Sequence, residues 1–276
     1  MDIRCSNHLS TELKDIFWDI FFKAKDRGIS LNRHFPWIEK NSDDCIFFEA
    51  HQDDAPIGGL VLRKRTLIID HTKVNLGIIG LVCVTAENRG VGVAAKLIDH
   101  TIAYAKQYDF DLLTLWTNQH RVYSRHHFFV NDPWYYGWVL PNRPLAIEAD
   151  TIEDTYIHQS TLLKQNSTLP LPPFASALYE CIFDTGSFTV AEDKQGLIIV
   201  GYTGNYIDVL QMMIKALPAQ WRLNATKDDP LLQALIEQGL QVNLSPSNLQ
   251  MWLNMKENET SNAMINQINI PVLDRI

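Results

Sequence analysis

Residues 84–94 read Val-Thr-Ala-Glu-Asn-Arg-Gly-Val-Gly-Val-Ala, and they lie between a Val/Ile/Leu-rich segment and a segment with helical apolar spacing. A helix start exposes backbone N–H groups that have no intrahelical partner, and it carries partial positive charge. Glycines there let a phosphate approach those groups, so the pair Gly90 and Gly92 fits a pyrophosphate cradle or, more simply, a tight turn. A P-loop would continue Gly-Lys-Ser/Thr, whereas Gly92 is followed by Val93-Ala94. A dinucleotide fingerprint wants an acid at the end of the next strand, and Asp109 and Asp111 precede that strand instead. A second cluster is aromatic: Trp134, Tyr135, Tyr136 and Trp138 fall within five positions. Flat rings of this kind suit sugar faces or nucleobases, and equally a strand carrying interface aromatics. Cys83 sits among Val and Leu, where a thiol is usually buried packing and not a nucleophile.

The elements that must position these residues can be read from periodicity. Leu13, Ile16, Phe17, Ile20, Phe21 and Ala24 form one stripe of a helix over residues 11–27, capped by Ser10 or Thr11 and followed by Gly28. Cys45–His51 and Ile57–Arg65 read as two strands joined by the Asp53–Pro56 turn, and Lys73–Val84 as a buried central strand. After the glycine loop, Ala94, Leu97, Ile98, Thr101, Ile102 and Ala105 line a helix, and Asp111–Trp116 is a further strand. This order predicts a mixed α/β (α+β) domain with one crossover.

Beyond it, Ile152–Gln165 is helix-like and leads into Ser167–Phe174, the only proline-dense stretch, which marks the expected domain boundary. The expected domains are residues 1–166 and a smaller mixed α/β domain, 174–276. The second is too short to repeat the whole first domain, though it can echo its second half. Within it, Ile207, Leu210, Ile214 and Leu217 line a helix, and Asp229-Pro230 starts another.

The 276 residues are 46% apolar and 20% charged, which excludes a disordered chain. A net charge of −8 argues against nucleic acid as partner. Four scattered cysteines, no zinc-type spacing, no signal-type start and no apolar run of membrane length point to a reduced, cytoplasmic protein without metal or membrane anchor.

Arg89-Gly90-Val91-Gly92-Val93-Ala94 resembles the Q/R-x-x-G-x-G/A signature of the GCN5-related N-acetyltransferases, with Val84 and Leu97 matching the wider pattern and Ala86 replacing its proline. Tyr123-Ser-Arg-His-His-Phe128 is similar to the family's later Y-x-x-x-G-F element, with His127 in the glycine place. The resemblance covers about residues 10–140. It implies a GNAT-like mixed central sheet flanked by helices, and acetyl-CoA or another short acyl-CoA as co-substrate. Arg89, Gly90, Val91, Gly92, Val93 and Ala94 would hold the pyrophosphate, and the strand edge at Val82 and Val84 the pantetheine arm. Tyr123, whose phenol has an ordinary pKa near 10, would protonate the departing thiolate; its alternative role is packing against Phe128.

The central strand Gly80–Val84 offers no carboxylate base, so either a water chain carries the amine proton or a residue from elsewhere does, the candidate being His34 in the irregular stretch after the first helix, against an ordinary loop histidine. Trp37, Trp134 and Tyr135 are the candidate acceptor contacts. The expected function is an N-acyltransferase acting on a small-molecule primary amine, a nucleotide-linked amino sugar being the sharpest form. A peptide or protein N-acetyltransferase and a non-catalytic acyl-CoA-binding regulator are the alternatives, and a homodimer is left open.

Overall fold

The computed structural model describes residues 1–26, 28–39, 43–141, 161–256 and 264–276. The chain divides into two compact units: residues 1–132 with 248–270 and 274–276, and residues 133–247 with 271–273.

The first unit opens with β1 (Asp2–Ser6), which the sequence pattern did not reveal, and α1 (Thr11–Phe21). Ser10 caps α1, its Oγ accepting from Leu13 N at 3.1 Å, and the helix buries Leu13 and Phe17. A four-residue helix, α2 (Leu31–His34), precedes β2 (Cys45–Gln52), β3 (Ala55–Ile69) and β4 (Thr72–Val84). Next come α3 (Val93–Gln107), β5 (Leu112–Trp116), α4 (His120–Ser124) and β6 (Phe129–Val130). The first sheet runs β1-β2-β3-β4-β5-β14-β6, where β14 is Gln250–Asn254. β4 and β5 are parallel, as a helical crossover requires. One sheet face packs on α3 through Leu60, Leu62, Ile79, Leu97, Ile98 and Leu113. The other packs on α1 through Phe47, Val61 and Phe17.

The second unit contains β7 (Trp134–Pro141), β8 (Lys164–Gln165), β9 (Ala177–Phe183), β10 (Gly186–Asp193) and β11 (Gly196–Gly204). It continues with α5 (Tyr206–Ala216), β12 (Trp221–Thr226), α6 (Pro230–Glu237) and β13 (Leu240–Pro246). Its sheet runs β8-β9-β10-β11-β12-β7-β13, the same strand order as the first, with the central pair β11 and β12 again parallel. In each sheet the sixth strand comes from the segment that follows the other sheet's last strand: β14 follows β13, and β7 follows β6.

Several sequence expectations are corrected here. The boundary is at residues 132–133, not at the proline stretch, because β7 pairs along both edges with β12 and β13. Ser167–Phe174 instead connects β8 to β9 inside the second unit, where the first unit has α1 and α2. Residues 152–160 lie outside the described set, and Lys164–Gln165 is strand, not helix. The second unit repeats a full seven-strand order, because it gains β7 and β8, which precede residue 174.

Candidate acyl-CoA site

β4 and β5 pair only from Leu76–Ile78 to Leu112–Thr114, although β4 runs on to Val84 and β5 to Trp116. The two strands therefore part, and the β5-facing edge of Val82–Val84 has no strand partner among the described residues. A bulge in β4 assists this. The register with β3 slips between Gly59–Cys83 and Val61–Gly80, and Leu81 takes φ 53. An extra residue on one strand bends it and raises its twist. Val82 and Val84 send their side chains to the α3 side of the sheet, leaving their backbone as the feature of the edge.

Beyond Val84 the chain makes a 3-10 turn, Ala86–Asn88, braced by Asn88 Nδ2 donating to Thr85 Oγ1 at 3.0 Å. Arg89 Nε donates to Val84 O at 3.0 Å and ties the loop to the strand end. Gly90 and Gly92 follow at φ 82 and φ 87, left-handed values that L side chains rarely adopt. A methyl group placed at either would meet nothing within 4 Å, so the space above both is open. Val91 between them is 74% exposed. α3 then starts at Val93 with Gly92 as its cap residue and no side-chain cap, so its first-turn N–H groups keep no partner from the chain. Arg89 to Ala94, the residues expected to hold a pyrophosphate, form this loop and helix start.

Tyr123 lies on α4 and is buried, with its ring edge-on to Phe128 at 6.1 Å. Burial pushes its phenol up to about 12, so it holds its proton throughout the neutral range. No described residue hydrogen-bonds its hydroxyl. Two contacts anchor the segment that carries it: His126 Nδ1 to Asp99 Oδ1 on α3 at 2.8 Å, and His120 Nε2 to Asn248 O at 2.7 Å. His127 adopts φ 67, which accounts for the glycine expected at that place; histidine is among the side chains that tolerate the left-handed region best.

The candidate base is corrected. His34 is only 2% exposed, stacks on Phe22 at 4.6 Å, and its Nε2 accepts from Ile29 N at 3.3 Å. The lone pair that a base would use is already engaged, which is the arrangement of a packing histidine. Trp37 is partly buried, with the Arg63 guanidinium over its ring at 4.8 Å. Trp134 and Tyr135 are not in a loop of the first unit but on β7 of the second, paired with Thr226 and Ala225. Burial pushes the Cys83 thiol up to about 12, so it stays a protonated packing group. Sequence reading missed one pair: Glu49 and His51 on β2, both buried, with Oε2 and Nε2 3.1 Å apart. Alternation along β2 could have found it, since both residues share one strand face in an otherwise apolar segment.

The acetyltransferase (GNAT) family model matches residues 10–129. No curated protein sequence matches the chain. Among solved structures, a GCN5-related N-acetyltransferase from Anabaena variabilis superposes with a TM-score of 0.61 at 14% identity, over 92% of this chain and 73% of that one. A probable N-acyltransferase from Enterococcus faecalis gives 0.64 at 9% identity, over 92% and 73%. Eis1 from Mycobacterium abscessus gives 0.61 at 11% identity, over 92% and 74%. At these identities the structures speak for the fold, which spans both units, while the family match covers the parted strands, the glycine loop and Tyr123. Through that match residues 10–129 form a domain of the acetyltransferase (GNAT) family, and the chain is an acyltransferase.

Proposed function

We propose that the chain transfers an acetyl or short acyl group from acyl-CoA to a primary amine of a small molecule. The observation that carries this is the uncapped start of α3 at Gly92, with open space over Gly90 and Gly92. The first-turn N–H groups of α3 bind the pyrophosphate, and the free edge of Val82–Val84 pairs with the pantetheine amides. A backbone N–H at that edge hydrogen-bonds the thioester oxygen as negative charge develops on it. The amine nitrogen attacks the carbonyl carbon, the C–S bond breaks, and the Tyr123 hydroxyl gives its proton to the departing sulfur. β4 carries no carboxylate side chain and His34 Nε2 is engaged, and the proposal takes the amine proton to water.

A nucleotide-linked amino sugar is the sharpest form of the acceptor to test, and Trp134 and Tyr135, its candidate contacts, lie on β7 of the second unit. The test follows free CoA released from acetyl-CoA and short 3-hydroxyacyl-CoAs against amino sugars, polyamines, amino acids and peptides. Turnover on small amines supports the proposal. Turnover confined to peptides would replace the acceptor class, and CoA binding without turnover on any amine would replace the enzyme by a regulator.

A further inference from the structure

We propose that the second unit holds a binding site of its own for a neutral saccharide, at the mouth where β11 and β12 part. These strands pair only at Ile198–Arg222 and Ile199–Leu223, while β11 continues to Gly204 and β12 to Thr226. Asn224 is the second residue beyond Arg222 on β12, so it shares that residue's face just past the last rung. Its Oδ1 is buried and has no hydrogen-bond partner, and Arg222 Nε beside it has none either. β12 thus concentrates orphaned buried polar atoms, which native proteins normally satisfy with protein, water or ligand. Across the mouth on β11, Gly201 is exposed, and a side chain there would meet nothing within 4 Å. Register opposite Thr189 turns it to the same side of the sheet as Asn224.

The neighbouring strand supplies rings. Tyr136 and Trp138 of β7 stand opposite Asn224 and Arg222, and Tyr136 is 36% exposed. The Arg222 guanidinium lies 6.0 Å and 5.6 Å from these two ring centroids. It is 2% exposed and held by Asp193 through both terminal nitrogens, by Gln195 Oε1 at 3.0 Å, by Gly196 O at 2.8 Å and by Tyr136 Oη at 2.7 Å. Asp193 neutralises the arginine, so the mouth favours neither an anion nor a cation. An acceptor oxygen beside two aromatic rings matches a ring that is apolar on its face and hydroxylated at its edge. That is the chemistry of an uncharged sugar, and it gives the aromatic run a role within its own unit. The site lies wholly in the second unit and does not depend on the proposed acyl transfer.

The test is saturation-transfer NMR on the full chain with neutral monosaccharides, their methyl glycosides and disaccharides, with adenosine and uridine as comparison ligands. Saturable transfer to a sugar is expected, weakened roughly tenfold or more in Asn224→Ala and in Gly201→Val. Both variants should fold as the parent does, since one removes an unsatisfied oxygen and the other fills open space; thermal melting checks this. No saturable transfer to any sugar, transfer to nucleosides alone, or equal transfer in parent and both variants would overturn the proposal.

Discussion

The two units share a strand order, a central parallel pair and a bulge in the strand before the crossover helix, yet they begin that helix differently. In the first, residues 85–92 separate β4 from α3, and the helix starts on glycine with no side-chain cap. In the second, Asn205 alone separates β11 from α5, and its Oδ1 accepts from Ile207 N at 2.9 Å and Asp208 N at 3.4 Å. The amides that would receive a phosphate in one unit are consumed by the protein in the other. Between β8 and β9, where the first unit has α1 and α2 between β1 and β2, the described residues of the second unit form the proline-rich connection instead. Common topology therefore does not carry a common site; the site depends on which groups are left unsatisfied where strand meets helix.

This contrast can be broken at several points. Gly92→Trp should reduce CoA affinity by roughly a hundredfold or more, since its side chain would occupy the open space and its positive φ disfavours any L residue; unchanged affinity by calorimetry would sever the glycine loop from cofactor binding. Tyr123→Phe should lower kcat roughly a hundredfold with CoA affinity nearly intact. Retention of full turnover would make Tyr123 a packing residue against Phe128.

Asn205→Ala should cost about 1 kcal/mol of stability and create no CoA affinity, because the α5 start still lacks a glycine loop. CoA binding at α5 in that variant would show that the cap alone distinguishes the units. The smallest effect is alkaline. Burial holds Cys83, Tyr123 and Tyr179 protonated to about 12 in the folded chain, against 9 to 10 in the unfolded one. Their raised values mean the folded state keeps more protons in that window, so stability is complete below about pH 9 and falls as pH rises toward 12. Melting temperature measured against pH should decline there; a flat profile would contradict the burial of these groups.

The local signals that sequence carries were read with little loss. Ser10 and Asp229 cap the helices expected of them, and the apolar stripe of α3 and the glycine loop before it lie where spacing put them. What sequence could not supply is long-range pairing. Trp134–Pro141 and Gln250–Asn254 look like strands for either sheet, and only tertiary packing decides that each joins the sheet that the strand before it does not. The aromatic run was thereby placed with the first domain, whereas its strand belongs to the second unit. His34 failed as base for a different reason: a histidine after an amphipathic helix reads alike whether it faces a pocket or stacks on Phe22. The boundary was misplaced because proline marks a break in regular structure, and such breaks occur inside domains as well as between them.

The central claim is that only one of two like-ordered units retains a phosphate-binding helix start. Isothermal titration of the full chain with acetyl-CoA, beside Gly92→Trp, tests it most directly. One site per chain, lost in the variant, is the predicted result. Two sites per chain, or one that survives Gly92→Trp, would contradict it.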